Sequence, residues 1–219
     1  QDGPLAVAGL RQPVRVAALA YGSAEPPQWG VKERQVDFHD VKGDLEALLA
    51  PRVATFVAAE HPALHPGRSA RIELDGRSVG HLGELHPRWR QGYELPLAPV
   101  LFEIELDALA LLPVPQLEAL PRQQSAWRDV ALVVPTGVAQ GALAERLCDD
   151  ASRIVRAATL FDVYHPPKPV PGIGAGERSL AYRLELRDDM ATLTDERIEA
   201  AVAAAVARVQ QAFGARLRG

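Results

Sequence analysis

Ser179-Leu180-Ala181-Tyr182-Arg183-Leu184-Glu185-Leu186-Arg187 alternates without a break. Leu180, Tyr182, Leu184 and Leu186 fall on one side, and Ala181, Arg183, Glu185 and Arg187 on the other, which is the period of a strand with one buried face. Upstream of it, residues 130–134 read as a strand. Residues 138–148 read as a helix with Leu143 and Leu147 inward, 154–164 as a second strand, and 166–176 as a loop rich in proline and glycine. Downstream, Thr192-Leu193-Thr194-Asp195 fits a capping box with Asp in the Glu/Gln place. The helix behind it carries Ile198, Val202, Val206, Val209 and Phe213 at helical spacing. Residues 216–218 complete the order as a short edge strand. Strand, helix, strand, strand, helix, strand is the ferredoxin-like pattern, here expected to be a sheet with both helices on one face and the other face open.

The sharpest break in composition is Leu112-Pro113-Val114-Pro115-Gln116-Leu117-Glu118-Ala119-Leu120-Pro121, whose prolines disfavour helix and central strand alike. It divides the chain into a first domain over residues 1–112, a linker over 113–124 and the ferredoxin-like domain over 125–219. In the first domain, Ser69-Ala70-Arg71-Ile72-Glu73-Leu74 alternates. Asp75-Gly76 signals a hairpin turn, and residues 78–85 continue as the return strand. Leu101-Phe102-Glu103-Ile104-Glu105-Leu106 is another alternating strand, and Val41, Leu45, Leu48 and Leu49 form a helical stripe. The expected fold class is α+β, an antiparallel sheet with flanking helices followed by the ferredoxin-like domain.

Of the 219 residues, 47% are apolar and 24% charged, enough for packed cores. The single cysteine, Cys148, rules out a disulfide framework. No apolar run approaches the roughly 20 residues that span a bilayer. Gln1-Asp2-Gly3-Pro4 has neither the basic nor the apolar part of a signal peptide, and without a starting Met the chain reads as a piece of something longer. The expectation is a cytoplasmic protein with no membrane partner. The net charge of −4 argues against a dedicated nucleic-acid protein, but its distribution is uneven. Residues 1–119 hold 11 basic and 16 acidic side chains, giving −5, whereas residues 120–219 hold 13 and 12, giving +1. A polyanion would meet the second half more readily.

Several runs resemble those of bacterial phenylalanine–tRNA ligase beta subunits, in the same order along nearly the whole chain. They are Val36-Asp37-Phe38-His39-Asp40-Val41-Lys42-Gly43-Asp44-Leu45-Glu46, His61-Pro62-Ala63-Leu64-His65-Pro66-Gly67-Arg68-Ser69-Ala70, Gly80-His81-Leu82-Gly83-Glu84-Leu85-His86-Pro87 and Leu160-Phe161-Asp162-Val163-Tyr164, with Arg128-Asp129-Val130-Ala131 and Glu177-Arg178-Ser179-Leu180-Ala181. The resemblance implies the C-terminal portion of that subunit. Its first domain would be the tail of a catalytic-like domain with the class II synthetase fold and no active site. The second would be a ferredoxin-fold anticodon-binding domain. It further implies tRNA and an α subunit as partners in an (αβ)₂ tetramer, with ATP and magnesium as cofactors of the parent enzyme and none held by this stretch. The loop Tyr164-His165-Pro166-Pro167-Lys168-Pro169 departs from the family in its proline content.

Read for chemistry, Gly172-Ile173-Gly174-Ala175-Gly176-Glu177-Arg178 is similar to the Gly-rich, arginine-ended strand with which class II synthetases hold ATP. It lacks G-x-G-x-x-G spacing, follows prolines and precedes a strand, so a flexible hairpin loop is the preferred reading. Glu60, His61 and His65 have the i, i+4 histidine spacing of a metal site, but Pro62 and Pro66 preclude a regular helix there. The preferred reading is a pair of histidines hydrogen-bonded within a structured loop. Cys148 lies beside Asp149 and Asp150, which oppose a thiolate. Ser125, Ser152 and Ser179 lie in no nucleophile elbow. No catalytic and no metal residue is expected.

The arginines of the second domain are the candidates. Arg183 and Arg187 project from the open face, Arg216 and Arg218 alternate in the same way, and Arg128 and Arg178 would extend a basic track suited to RNA phosphates and unpaired bases. An ordinary solvated face is the alternative. Trp127 and Tyr164 read equally as stacking platforms or as core. Three functions compete, namely an RNA-binding and interface fragment of a synthetase, a self-sufficient enzyme, and a structural module that touches no RNA.

Overall fold

The computed structural model describes residues 9, 10, 12–110, 114 and 121–218. Within the stretch read as a linker, 113–124, residues 113 and 115–120 lie outside the described residues. The chain divides into two compact units, Gln1–Gln116 and Leu117–Gly219.

The first unit runs β1 (Arg15–Ala20), α1 (Phe38–Leu49), β2 (Thr55–Ala58), β3 (Leu64–Leu74), β4 (Arg77–Leu85), α2 (Pro87–Gly92), β5 (Val100–Glu105) and α3 (Leu106–Ala110). Its strands form one antiparallel sheet in the order β1-β5-β4-β3-β2. The β3–β4 hairpin turns at Asp75 and Gly76, both left-handed at φ 50° and 74°, as a tight turn matched to strand twist requires. Helix α1 starts at a complete capping box in which Asp37 accepts from the backbone N–H groups of His39 and Asp40 while Asp40 accepts from that of Asp37. Arg34 grips Asp40 with two bonds of 2.7 and 2.6 Å, which holds its carboxyl down at about 2. Leu45 and Leu49 of α1 close over Ile72, Leu74, Leu82 and Ile104 of the sheet.

The second unit runs β6 (Ala126–Pro135), α4 (Gln140–Cys148), β7 (Val155–Tyr164), β8 (Glu177–Leu186), α5 (Asp195–Phe213) and β9 (Arg216–Leu217), with sheet order β7-β8-β6-β9, all antiparallel. The fold is α+β with a ferredoxin-like second unit, as the alternating runs require. Val130, Leu132, Val134, Leu180, Tyr182, Leu184 and Leu186 face α4 and α5 and bury Leu143, Leu147, Ile198, Ala205, Val206 and Val209. Helix α5 is capped by Thr194, whose hydroxyl accepts from Arg197 N–H, rather than by Thr192. The two threonines stand two residues apart, and Thr192 instead donates to Gln123. Gly214 ends the helix in the left-handed conformation at φ 65°.

Candidate nucleic-acid interface

The face of the second sheet turned away from α4 and α5 is set by strand parity. Opposed residues in an antiparallel pair share a face. Trp127 therefore sits opposite Glu185, Asp129 opposite Arg183, Ala131 opposite Ala181, Val133 opposite Ser179, and Arg183 in turn opposite Thr159 of β7. The middle of this face is paved with alanine, and three large rings stand around it, Trp127 at 53%, Phe161 at 54% and Tyr164 at 38% exposure. None of the three belongs to the buried core of the second unit, which favours the platform reading of Trp127 and Tyr164 over the core reading. Phe161 sits at a register irregularity between Leu160 and Asp162, where the strand carries an extra residue. Arginines cover two of the rings, with the Arg183 guanidinium carbon 5.4 Å from the Phe161 centroid and that of Arg218 5.1 Å from Tyr164.

The six arginines nominated from sequence do not form one basic track. Arg183, Arg187, Arg216 and Arg218 belong to the open face by parity. Arg128 alternates with Val130 and Leu132 toward the helices and pairs with Asp195 at 3.5 Å and Glu199 at 3.1 Å. Together with Trp127, Asp129 and Arg183 it lines a shallow depression beside β6. Arg178 alternates with Leu180 toward the helices, donates to the carbonyl of Val138 at 2.7 Å, and keeps its Nε buried without a partner.

Nor is the open face strongly basic. Arg183 makes a two-pronged pair with Asp129, 2.8 Å for each bond, which pulls the Asp129 carboxyl below its usual range. Arg187 pairs with Asp189 at 3.1 Å and Glu185 at 3.5 Å. Arg216 pairs with Glu177 at 2.6 Å and holds that carboxyl at about 2. Register between strands sets Asp129 of β6 against Arg183 and Glu177 of β8 against Arg216, whereas Arg187 is met by Glu185 and Asp189, two residues away in its own segment. What the face offers is aromatic rings set among four arginines, three of them paired with acids, an arrangement suited to stacking flat unpaired bases more than to gripping phosphates. Phe161 does not stand out in the sequence, because one bulge residue breaks the strand's period.

The Gly172–Arg178 run is pinned rather than flexible. Ile173 is buried, Val170 and Ile173 bridge each other, the Gly174 N–H donates to Glu177 at 2.7 Å, and the Gly172 carbonyl accepts from Arg216. Its arginine is turned into the domain, so these residues do not fit ATP. His61 and His65 each accept a backbone N–H two residues ahead, from Ala63 and Gly67. Among the described residues, no three histidine, cysteine or acidic side chains gather as a metal would need. Cys148 is half-buried, and burial pushes its thiol up.

Residues 5–106 match the family described as the phenylalanyl tRNA synthetase beta chain CLM domain, and residues 121–218 match the ferredoxin-fold anticodon binding domain. The phenylalanine–tRNA ligase beta subunit of Ralstonia nicotianae is 49% identical over 222 residues, covering 99% of this chain and 27% of that protein. Its counterpart in Burkholderia pseudomallei is 51% identical with the same coverage. That of Aromatoleum aromaticum is 50% identical over 213 residues, 97% of this chain and 26% of that protein. The chain thus spans about a quarter of the length of the relatives it matches. With two matched domains in order and half of its residues identical along its length, the chain belongs to the phenylalanine–tRNA ligase beta subunit family.

Proposed function

We propose that this chain is the tRNA-positioning part of a phenylalanine–tRNA ligase, and that the open face of its second unit takes the unpaired bases of the anticodon. The observation that carries this reading is the set of three exposed rings, Trp127, Phe161 and Tyr164, on one face of a four-stranded sheet. In this reading residues 1–112 are the end of a catalytic-like domain without an active site, 113–124 are a linker, and 125–219 hold the anticodon. The chemistry belongs to an α subunit in an (αβ)₂ assembly in the cytoplasm, where ATP and magnesium act. No helix among the described residues is long and apolar enough to cross a membrane.

Loss of one stacking ring costs about 1–3 kcal/mol of binding, roughly fivefold to more than a hundredfold. Phe161→Ala is therefore expected to weaken tRNAPhe binding by that factor in a filter-binding titration. Arg178→Met, on the helix side, is expected to leave it unchanged. Unaltered affinity in Phe161→Ala would sink the open-face reading in favour of a structural module that touches no RNA there. The chain alone is expected to support no phenylalanine-dependent exchange of ATP with pyrophosphate, since its one Gly-rich run turns its arginine away into the domain. Measurable exchange would make it an enzyme in its own right.

A further inference from the structure

Asp129, Arg183 and Phe161 form a chain of contacts across three strands. Asp129 on β6 lies opposite Arg183 on β8, and the pair is joined through Nε and one terminal nitrogen, both at 2.8 Å. Such a fork fixes the plane of the guanidinium as well as its position. The guanidinium carbon so held stands over the Phe161 ring, 5.4 Å from its centroid. Phe161 is the extra residue of a bulge and has no directly opposed residue on β8, where Leu160 faces Tyr182 and Asp162 faces Ala181. The ladder that orients an ordinary strand side chain through its cross-strand neighbour gives this ring no such support. Arg183 supplies it, and Asp129 holds Arg183.

We propose that Arg183 is a positioning residue, locked by Asp129 to hold the Phe161 ring upright on the open face for a base to stack on, and that it is not a phosphate clamp. The inference rests on the open-face reading and adds to it how the ring is presented. It also reverses the sign of an otherwise ordinary expectation. Removing a carboxylate from a surface that binds a polyanion normally strengthens binding and steepens its salt dependence. Asp129→Asn does that if Arg183 is a phosphate contact restrained by its acid. If Asp129 and Arg183 act through Phe161, the same change loosens the ring and weakens binding.

The test measures tRNAPhe affinity and its salt slope for the whole chain carrying Asp129→Asn, Arg183→Lys, Phe161→Ala and the Asp129→Asn/Phe161→Ala pair, with thermal midpoints to confirm folding. Arg183→Lys keeps the charge and loses the planar fork. The expected result is that Asp129→Asn and Arg183→Lys each weaken binding roughly two- to fivefold, the worth of an exposed cation–ring contact. The salt slope of Asp129→Asn should stay unchanged, and Asp129→Asn should have no further effect once Phe161 is alanine. Tighter binding or a steeper slope in Asp129→Asn overturns the proposal, as does an undiminished effect in the Phe161→Ala background, which would make Asp129 a direct base contact. If Phe161→Ala alone leaves affinity untouched, the open-face reading fails and this inference with it. If Phe161→Ala weakens binding and Asp129→Asn does not, the reading stands and only this inference falls.

Discussion

Gly80→Ala is expected to break the first unit's sheet. A Cβ at this position would lie 2.1 Å from the carbonyl oxygen of Glu103 and 2.8 Å from the Cα of Ile104. Both are backbone atoms of β5, and Gly80 is directly paired with Ile104. A flexible side chain could swing aside, but a backbone in a hydrogen-bonded ladder can give way only by parting from its neighbour. Because β4 lies in the middle of the order β1-β5-β4-β3-β2, the damage is to the centre of the sheet and not to an edge. The cost belongs with the exceptional substitutions, about 4 kcal/mol or more, a large share of the roughly 5–15 kcal/mol that holds a domain folded. Gly43→Ala supplies the contrast. Gly43 lies inside α1 with nothing within 4 Å of the added methyl, so the same substitution there is expected to stabilise by about 0.5–1 kcal/mol. Hydrogen exchange separates the outcomes. In Gly80→Ala, protection should collapse in β3, β4 and β5 and persist in β6 and β8, which belong to a different core. A Gly80→Ala chain with wild-type protection in β4 and β5 would refute the close approach.

How much of this is legible in the sequence follows the strength of the local period. Residues 179–187 alternate perfectly and lie within two residues of β8 at either end. The Asp75-Gly76 hairpin is readable because its turn chemistry is explicit. Strand β1 escapes the reading because Arg15-Val16-Ala17-Ala18-Leu19-Ala20 has little polar contrast along an edge that is largely exposed. The four-residue β2 and the short α2 and α3 carry too few residues to show a period. In the candidate site, single-strand parity places Arg183 and Arg187, but two facts lie beyond it. Which acid stands against Arg183 and Arg216 is a property of register between strands, so the Asp129–Arg183 and Arg216–Glu177 pairs are invisible to it. The face taken by Phe161 depends on a bulge that no propensity marks. Arg128 and Arg178 attract notice by their nearness to strand starts, whereas parity with Val130 and Leu180 turns them to the helices.

The second unit is expected to lose stability steeply in alkali through a single buried phenol. Tyr182 is fully buried between the sheet and α4, its hydroxyl donating to the Gln140 carbonyl at 2.9 Å. Burial pushes its ionisation up to about 12, against an ordinary value of about 10 in the unfolded chain, with Arg178 opposing the change. The folded-state value is the higher one, so between these limits the folded protein keeps a proton that the unfolded chain has released. The associated stability is whole below pH 10 and is lost as pH rises toward 12, amounting to on the order of 2–3 kcal/mol across that interval. Tyr182→Phe removes the titrating group together with one buried hydrogen bond, at a cost of about 1 kcal/mol near neutrality. The two dependences should therefore cross, with wild type more stable at pH 8 and Tyr182→Phe more stable by about pH 11.5. The half-buried Cys148 thiol, also pushed up, adds a background of the same sign that both proteins share. Denaturant titrations at stepped pH, followed by hydrogen exchange or a probe confined to the second unit, read the difference. Parallel curves for the two proteins up to pH 12 would mean that Tyr182 ionises without unfolding its core, and that the phenol is less enclosed than its position between Leu180 and Leu184 requires.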